Sequence, residues 1–162
     1  MPTLDPEPFK EVMRHWVAGV TVVTTRLDDA IYGCTANSFT SISLTPPLIA
    51  VSLAKSTHTY PMIKQSGIFA VNILSAHQQD VSVRFAGSLH DAHERFKDEP
   101  HHPEATGSPV LDRAIAFADC RLYSEHDVGL NSILIGLVEA GRVLNHHPPL
   151  IYSDRKYWKL TQ

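Results

Sequence analysis

Short runs of β-branched and apolar residues, each bounded by turn-forming residues, are the feature that most constrains this chain. Six runs each have the length of a single short or long strand: 20–25, 48–53, 68–74, 114–123, 132–144 and 150–160. Such runs outnumber helical patterns by about two to one, and no long helix alternates with them. The pattern predicts a mainly β chain, an antiparallel, Greek-key-like barrel with a few short helices, rather than a Rossmann sheet.

Three short helices are expected beside the strands. In the N-terminal segment 1–18, apolar residues recur at spacings of three and four, the period of a helix that buries one face. These residues are Phe9, Val12, Met13, Trp16 and Val17. Ser56 and Thr57 provide N-cap chemistry for a second helix. A third helix is predicted from Gln78 to Phe85.

The chain has the size of one domain. Its 162 residues, 43% of them hydrophobic, can bury a core, so residues 1–162 are interpreted as a single domain. Within it, the segment 86–108 is rich in glycine, histidine, proline and charge, and Phe96 is its one large apolar residue after Leu89. This composition predicts a mobile excursion.

Charge and composition argue against several classes of partner. The net charge is -3 and the 14 basic residues are scattered, so neither nucleic acid nor a membrane surface is an expected partner. No apolar run approaches the roughly 20 residues that cross a bilayer, and the N-terminus is acidic and proline-rich; a cytoplasmic protein is expected. Cys34 and Cys120 lack ligand spacing, so free buried thiols and no metal site are predicted.

Polar side chains cluster between Gly33 and Ser56. The cluster follows a predicted strand, precedes Pro46 and Pro47, and contains Thr35, Asn37, Ser38, Thr40, Ser41 and Ser43. Backbone N–H groups and short side chains in such a loop can bind a phosphate or the heteroatom edge of a planar ring. An ordinary polar turn with satisfied hydrogen bonds is the alternative interpretation.

The order of these motifs resembles the short-chain flavin reductase family. The resemblance rests on GVTVVTT, GCTANSFTSISLTPPL, VSLAKSTHT, FAVNIL and RFAG, and extends from the first helix to Tyr157. It implies the FMN-binding split β-barrel and an NAD(P)H-dependent reductase that supplies reduced FMN or FAD, commonly to a separate monooxygenase. The donor would be NADH or NADPH. A homodimer is also implied, in line with the frequency of two-fold oligomers.

The resemblance also implies the cofactor-binding residues. Contacts to the ring and ribityl chain would come from Thr35, Ala36, Asn37, Ser38 and Ser41. The phosphate would be bound by Ser52, Leu53, Ala54, Lys55, Ser56 and Thr59, with a helix N-terminus at Ser56 and the charge of Lys55. The opposite side would be formed by Phe85, Ala86 and Gly87, where Phe85 packs on the ligand or on the core.

One position departs from the family pattern. Many members have Gly-Asp-His before the strand that corresponds to SILIGLV, whereas this chain has Gly129, Leu130 and Asn131. Asn131 can donate a hydrogen bond but cannot titrate near neutral pH. No catalytic residue is therefore certain, and Asn131 and Tyr157 are the candidates that face the nicotinamide. The alternatives are an FMN-bound reductase of another acceptor (a corrinoid, ferric complex or protein) or a non-enzymatic flavin- or haem-binding protein.

Overall fold

The computed structural model describes residues 3–87 and 92–160. Within these ranges the helices are α1 (Pro6–Arg14), α2 (Thr59–Ser66), α3 (Gln79–Ala86) and α4 (Ala92–Phe96). The strands are β1 (Ala18–Gly19), β2 (Thr21–Leu27), β3 (Ala30–Ala36), β4 (Phe39–Leu44), β5 (Pro47–Ala54), β6 (Ile68–Ile73), β7 (His101–Pro103), β8 (Pro109–Leu111), β9 (Ala116–Val128), β10 (Asn131–Val143), β11 (Ile151–Ser153) and β12 (Lys156–Trp158). The predicted mainly β architecture is confirmed.

Seven strands form one antiparallel sheet in the order β3-β2-β6-β9-β10-β5-β4. Its two edges, β3 and β4, are consecutive in the chain, and only Asn37 and Ser38 connect them. Three peptide units from Ala36 to Phe39 span at most about 11 Å, so the sheet has to curl until its edges nearly meet. The seam of the resulting barrel lies at Asn37 and Ser38.

Strand β2 is the most deeply buried part of the sheet. Val22 and Val23 are both 0% exposed, although neighbouring side chains on a strand point to opposite faces. Val23 belongs to one core cluster with Val51 and Phe69, whereas Val22 belongs to another with Phe85. A strand covered on both faces needs apolar or β-branched residues at every position, which explains the unbroken VTVVTT run.

The polar run after β3 is mostly a strand and not the predicted loop. Residues Phe39–Leu44 form β4, which pairs with β5 in the register Phe39 with Val51 and Ser41 with Ile49. The side chains of β4 are largely exposed. An edge strand with one solvated face tolerates the serines and threonines that suggested a loop.

The helices are confirmed with corrected boundaries. Helix α2 begins at Thr59, three residues after the predicted start at Ser56, and Gly67 ends it in the left-handed conformation with φ of 70°. Helix α3 begins at Gln79, one residue after the predicted start. Across the described residues, no helix has both the length and the apolar character needed to span a membrane.

Helix α1 forms, but its apolar stripe is not buried. Phe9, Val12 and Met13 are 49–63% exposed, and Trp16 and Val17 after the helix are 69% and 58% exposed. The prediction that this face is buried is therefore wrong for the single chain. The spacing shows which side chains share a face, but it does not show what covers that face.

Much of the segment 86–108 is packed on the barrel. Phe96 is 6% exposed and contacts Phe85 at a ring-centroid distance of 5.0 Å. Glu99 is buried and accepts hydrogen bonds from Arg84 and Arg113. Strands β7 and β8 then form a hairpin. The predicted mobile excursion also includes residues 88–91, which lie outside the described residues; its mobility stays a prediction.

Both cysteines are free and buried, as predicted. Burial raises the pKa of Cys34 to about 11 and that of Cys120 to about 12. These thiols therefore stay protonated at neutral pH and are poor nucleophiles. Among the described residues, no group of three or more histidines, cysteines and carboxylates is arranged to hold a metal ion.

A charged cluster ties the β7–β8 hairpin to β10. His102 Nδ1 lies 2.5 Å from Asp112 Oδ1, and its Nε2 lies 3.0 Å from Glu104 Oε1. Glu104 also pairs with Arg142 at 2.5 Å. A neutral imidazole has one N–H, so only the imidazolium donates to both carboxylates. The contact with Asp112, supported by Glu104, raises the pKa of His102 above its ordinary value of 6.5.

This raised pKa predicts how the stability of the protein varies with pH. Since the folded pKa lies above the unfolded one, the contribution of His102 is complete below about pH 6.5 and is lost as the pH rises through the folded pKa. We expect the difference in thermal midpoint between wild type and His102→Asn to shrink from about pH 6 to about pH 9. His126→Asn, whose ring contacts a serine hydroxyl, is the control. A difference that stays constant over this range would contradict the prediction.

Candidate functional site

Two cavities adjoin along the end of β3 and form one groove. Cavity A, of about 430 Å³, is lined by Cys34, Thr35, Ser56, Thr57, His58, Phe85, Ala86, Gly87 and Arg95. Cavity B, of about 220 Å³, is lined by Val20, Thr35, Ala36, Asn37, Ser82, Ala86, Tyr152 and Tyr157. Thr35 and Ala86 line both cavities. The groove thus brings together residues from all three sequence segments predicted to bind a cofactor.

A third cavity continues the groove across the seam of the barrel. Cavity C, of about 430 Å³, shares Asn37 and Tyr152 with cavity B. Its other walls come from α1, from Trp16 and from the turn between β11 and β12. Trp16 and Met13, two members of the exposed apolar stripe, therefore border the groove.

The residues at the end of β3 are held against α3. Thr35 Oγ1 donates to the carbonyl of Ser82 at 2.7 Å, and Ser82 Oγ lies 2.8 Å from Tyr157 Oη. Asn37 follows the strand, and its exposed carboxamide makes no hydrogen bond within the described part of the chain. Its donor and acceptor are therefore available to a ligand that occupies cavity B or C.

Hydroxyls and a helix N-terminus lie at the opposite end, in the turn between β5 and α2. Thr57 Oγ1 donates to the carbonyl of Ala54 at 2.9 Å and accepts from the N–H of Tyr60 at 3.3 Å. Thr57 thereby caps the first turn of α2, the role predicted for this segment. The Ser56 hydroxyl has no hydrogen-bond partner among the described residues. This end of cavity A has the groups that bind anions.

Arg95 supplies the cation of cavity A, a role that the sequence pattern did not predict. Its residue is 8% exposed, and its guanidinium donates to the carbonyls of Gly33 at 2.7 Å, Phe85 at 3.0 Å and Gly87. Arg95 lies in the segment interpreted as a mobile excursion. Phe96, the large apolar residue beside it, was the signal that α4 returns to the core.

Lys55, the predicted cation, points to a different partner. Its Nζ lies 3.2 Å from Asp127 Oδ2, and this contact lowers the pKa of Asp127. Its backbone N–H donates to the carbonyl of Leu130 at 3.0 Å. Lys55 does not line cavity A; in this structure it joins the β5–α2 turn to the β9–β10 turn.

A hydrogen-bond chain links Asn131 to the seam. Asn131 Nδ2 donates to Ser52 Oγ at 3.2 Å, and Ser38 Oγ donates to the carbonyl of Ser52 at 2.6 Å. The N–H of Ser52 donates back to Ser38 Oγ at 3.2 Å. Ser38 lines cavity C. These hydrogen bonds therefore connect Asn131 to the margin of the groove, but Asn131 itself does not line it. Tyr157, the other candidate, lines cavity B.

Other predicted site residues lie away from the groove. Leu53 is 3% exposed in the core, and Thr59 is 1% exposed in the first turn of α2. Ser41 is exposed on β4, and Ala54 ends β5. Phe85, in contrast, does line cavity A, but it is 1% exposed and packs against Phe96, so its side chain is mainly part of the core.

Known proteins match both the sequence and the fold. The family described as "Flavin reductase like domain" matches residues 13–161. The reductase component of 4-hydroxyphenylacetate 3-monooxygenase from Thermus thermophilus is 34% identical over 155 residues, which cover 96% of this chain and 97% of that protein. An NADH-dependent flavin reductase of Rhodococcus sp is 31% identical over 155 residues, covering 94% and 85%. The structure of the flavin reductase PheA2 superposes with a TM-score of 0.89, 36% identity and coverage of 98% and 100%.

The contacts of Arg95 predict a large loss of stability when its guanidinium is removed. Arg95→Met would leave three carbonyls at the wall of cavity A without this donor, so the free energy of unfolding should fall by roughly 2–4 kcal/mol. Chemical denaturation measures the change. Arg121→Met, which removes an exposed pair with Glu139, should cause little change. Equal stability of the two variants would show that Arg95 does not hold the wall of the cavity.

Proposed function

This chain belongs to the flavin reductase family and has its split-barrel fold, and we propose that it transfers hydride from NADH or NADPH to FMN or FAD and supplies the reduced flavin to a monooxygenase. The observation that carries this proposal is the groove formed by cavities A and B. One end has a hydroxyl, a helix N-terminus and a buried cation. The other has two tyrosines and the carboxamide of Asn37, which makes no hydrogen bond to any described residue.

Cavity A fits the flavin phosphate. Ser56 would donate its hydroxyl, α2 would direct its N-terminal dipole toward the anion, and the fixed positive charge of Arg95 would lower the cost of bringing a phosphate into the cavity. Arg95 already donates to three carbonyls, so it would act mainly through its charge. This assignment gives Arg95 the electrostatic role that the sequence suggested for Lys55.

Cavity B fits part of the ring system and the ribityl chain. Asn37 offers a donor and an acceptor to ring heteroatoms, and the backbone of Thr35 and Ala36 lies beside it. Val20, Tyr152 and Tyr157 also line this cavity and provide apolar surface. Bound flavin would supply the two-electron acceptor. The protein would position the ring and exclude water from it.

The departure at Asn131 is compatible with this reaction. Hydride transfer between two stacked rings needs orientation and not a protein nucleophile. Because Asn131 Nδ2 donates to Ser52, its amide oxygen is the atom that would accept from a nicotinamide carboxamide. Asn131 would therefore orient the nicotinamide as an uncharged group. Tyr157, which is held by its contact with Ser82, would line the cavity that receives the flavin ring.

We also propose that two copies of the chain form a homodimer through helix α1. Its exposed stripe is large and apolar, and such surfaces on soluble proteins commonly mark an interface. A second copy seated on the stripe would also cover Met13 and Trp16 in the wall of cavity C. The dimer would thus shield one end of the groove from solvent.

We place the enzyme in the cytoplasm in this proposal. Its two cysteines are free and buried, as is usual in a reducing compartment. The proposed electron donors are also metabolites of that compartment.

The proposed phosphate site predicts different effects for two neighbouring residues. Ser56→Ala should weaken FMN binding by about 1.5–3 kcal/mol, or roughly tenfold to a hundredfold, because it removes a charge-assisted hydrogen bond. Riboflavin, which has no phosphate, should bind almost as before. Lys55→Ala should change neither affinity much, since Lys55 pairs with Asp127. Calorimetric titration of both ligands into each variant measures the effects.

Three outcomes of this titration are informative. Equal losses of FMN and riboflavin affinity in Ser56→Ala would place Ser56 away from the phosphate. A selective loss of FMN in Lys55→Ala would return the phosphate to Lys55, as the sequence suggested. Wild-type protein that binds no flavin at tens of micromolar, which corresponds to about -6 to -7 kcal/mol, would contradict the proposed function.

The proposed dimer predicts that a charge on the stripe will separate the subunits. Val12 is 63% exposed, so Val12→Asp should leave the fold of each chain intact while it places a carboxylate in the interface. Light scattering during size-exclusion chromatography should then give the mass of a monomer. Val143→Asp, at a similarly exposed site on β10, is the control. A dimer in both variants would show that α1 is not the interface.

A further inference from the structure

Two histidines outside the groove face each other across two neighbouring connections. His77 lies between β6 and α3, and His147 lies between β10 and β11. The centroids of their rings are 5.3 Å apart, and the ring planes are nearly perpendicular, at 88°. Both residues are exposed to solvent. Neutral imidazoles are the commonest metal ligands in proteins, so a pair at this separation is a candidate metal site.

A short antiparallel ladder brings the two histidines together. Ser75 lies opposite Pro149 in a β-bridge, and backbone hydrogen bonds of 2.8 and 2.9 Å flank this pair of residues. Two residues further along each segment, the same register places His77 directly opposite His147. Residues in this relation have Cβ atoms about 4.5–5.5 Å apart, which lets their side chains meet. The contact between the rings thus follows from the backbone pairing.

Hydrogen bonds on both sides hold the backbone of the histidine pair. In the first connection Gln78 is 1% exposed, and its Oε1 accepts from the N–H of Ser75 at 2.9 Å. In the second, Asn145 Oδ1 accepts from the N–H of His147 at 3.1 Å, and Asn145 Nδ2 donates to the carbonyl of Ala114 at 2.9 Å. Because both turns are fixed, a ligand of the pair would have to order only two side chains.

The separation of the rings fits a shared metal ion. Imidazole nitrogens bind Zn²⁺ at about 2.0–2.1 Å, so two rings on one tetrahedral ion have centroids about 5 Å apart. The observed 5.3 Å is close to this value. Each ring can rotate about its own metal–nitrogen bond, so the angle between the planes does not restrict the site. Imidazole suits Zn²⁺, Ni²⁺ and Cu²⁺, whereas Mg²⁺ and Ca²⁺ prefer oxygen ligands.

We propose that His77 and His147 form a two-histidine site for a divalent late transition-metal ion. Within the described part of the chain, no third histidine, cysteine or carboxylate completes a cluster with them, so water takes the remaining coordination positions. The ion links the connection that leads into α3 to the one that leads into β11. Ser82 on α3 and Tyr152 on β11 both line cavity B, so the bound ion braces two walls of the groove.

The test is a calorimetric titration of Ni²⁺ into untagged protein without flavin. Wild type should bind one equivalent per chain. His77→Asn and His147→Asn should each weaken binding by about tenfold or more, which is at least 1.4 kcal/mol, because one metal–nitrogen bond is lost. His146→Asn removes the adjacent exposed histidine and keeps the pair, so it should retain the wild-type affinity. Both cysteines are buried and do not compete for the ion.

Thermal unfolding gives a second, independent measurement. The two histidines are far apart in the unfolded chain, so an ion that binds the pair favours the folded state. The thermal midpoint of wild type and of His146→Asn should rise with Ni²⁺ concentration, and EDTA should reverse the rise. The midpoints of His77→Asn and His147→Asn should change much less.

Three results would overturn this site. They are a wild type that shows no saturable Ni²⁺ binding, an affinity that is the same in wild type and in both variants of the pair, and an equal loss of affinity in His146→Asn. Because the titration contains no flavin, none of these results bears on the proposed function.

Discussion

The two-residue connection between β3 and β4 is the constraint on which the rest of the molecule depends. It joins the two edges of a seven-stranded sheet, so the sheet has to close on itself, and antiparallel pairing through β2, β6, β9, β10 and β5 sets how far it curls. At such a seam the strands lack a complete ladder of backbone partners. The polar groups of Asn37 and Ser38 are exposed there, and this is why the groove lies at the seam and not over the middle of the sheet.

Hydrogen bonds from outside the sheet then convert the seam into a cavity. Thr35 attaches β3 to α3, and Arg95 attaches α4 to the carbonyls of Gly33, Phe85 and Gly87. The bonds of Thr35 with Ser82 and of Arg95 with Gly33 join an edge strand to a helix, and those of Arg95 with Phe85 and Gly87 join α4 to the end of α3. The same contacts satisfy carbonyls and build the wall of cavity A. In the proposed function, stability and flavin binding are therefore coupled at this wall.

The sequence predicted the parts of the fold that depend on local pattern and missed those that depend on tertiary contacts. The strand run of β2 was predictable because burial on both faces requires apolar residues throughout. Strand β4 was not, since its serines and threonines are as typical of a loop as of an exposed edge. Lys55 and Arg95 show the same limit at the site. A sequence motif can predict that a segment carries a cation, but it cannot predict that Lys55 pairs with Asp127, because Asp127 reaches Lys55 only through the folded β9–β10 hairpin. The apolar stripe of α1 had the period of a helix, and the helix forms. Within one chain, however, the stripe has no surface to pack against.

The contact between Arg95 and Gly33 also determines at which stage of folding the wall of cavity A can form. The two residues are separated by 62 positions, and closing a loop of that size costs entropy that only a largely formed core repays. A chain emerging from the ribosome can pair β2 with β3 well before residue 95 is available. The end of the groove at Arg95 therefore forms only after much of the core, so in the proposed function flavin would bind the finished barrel and would not guide its early folding.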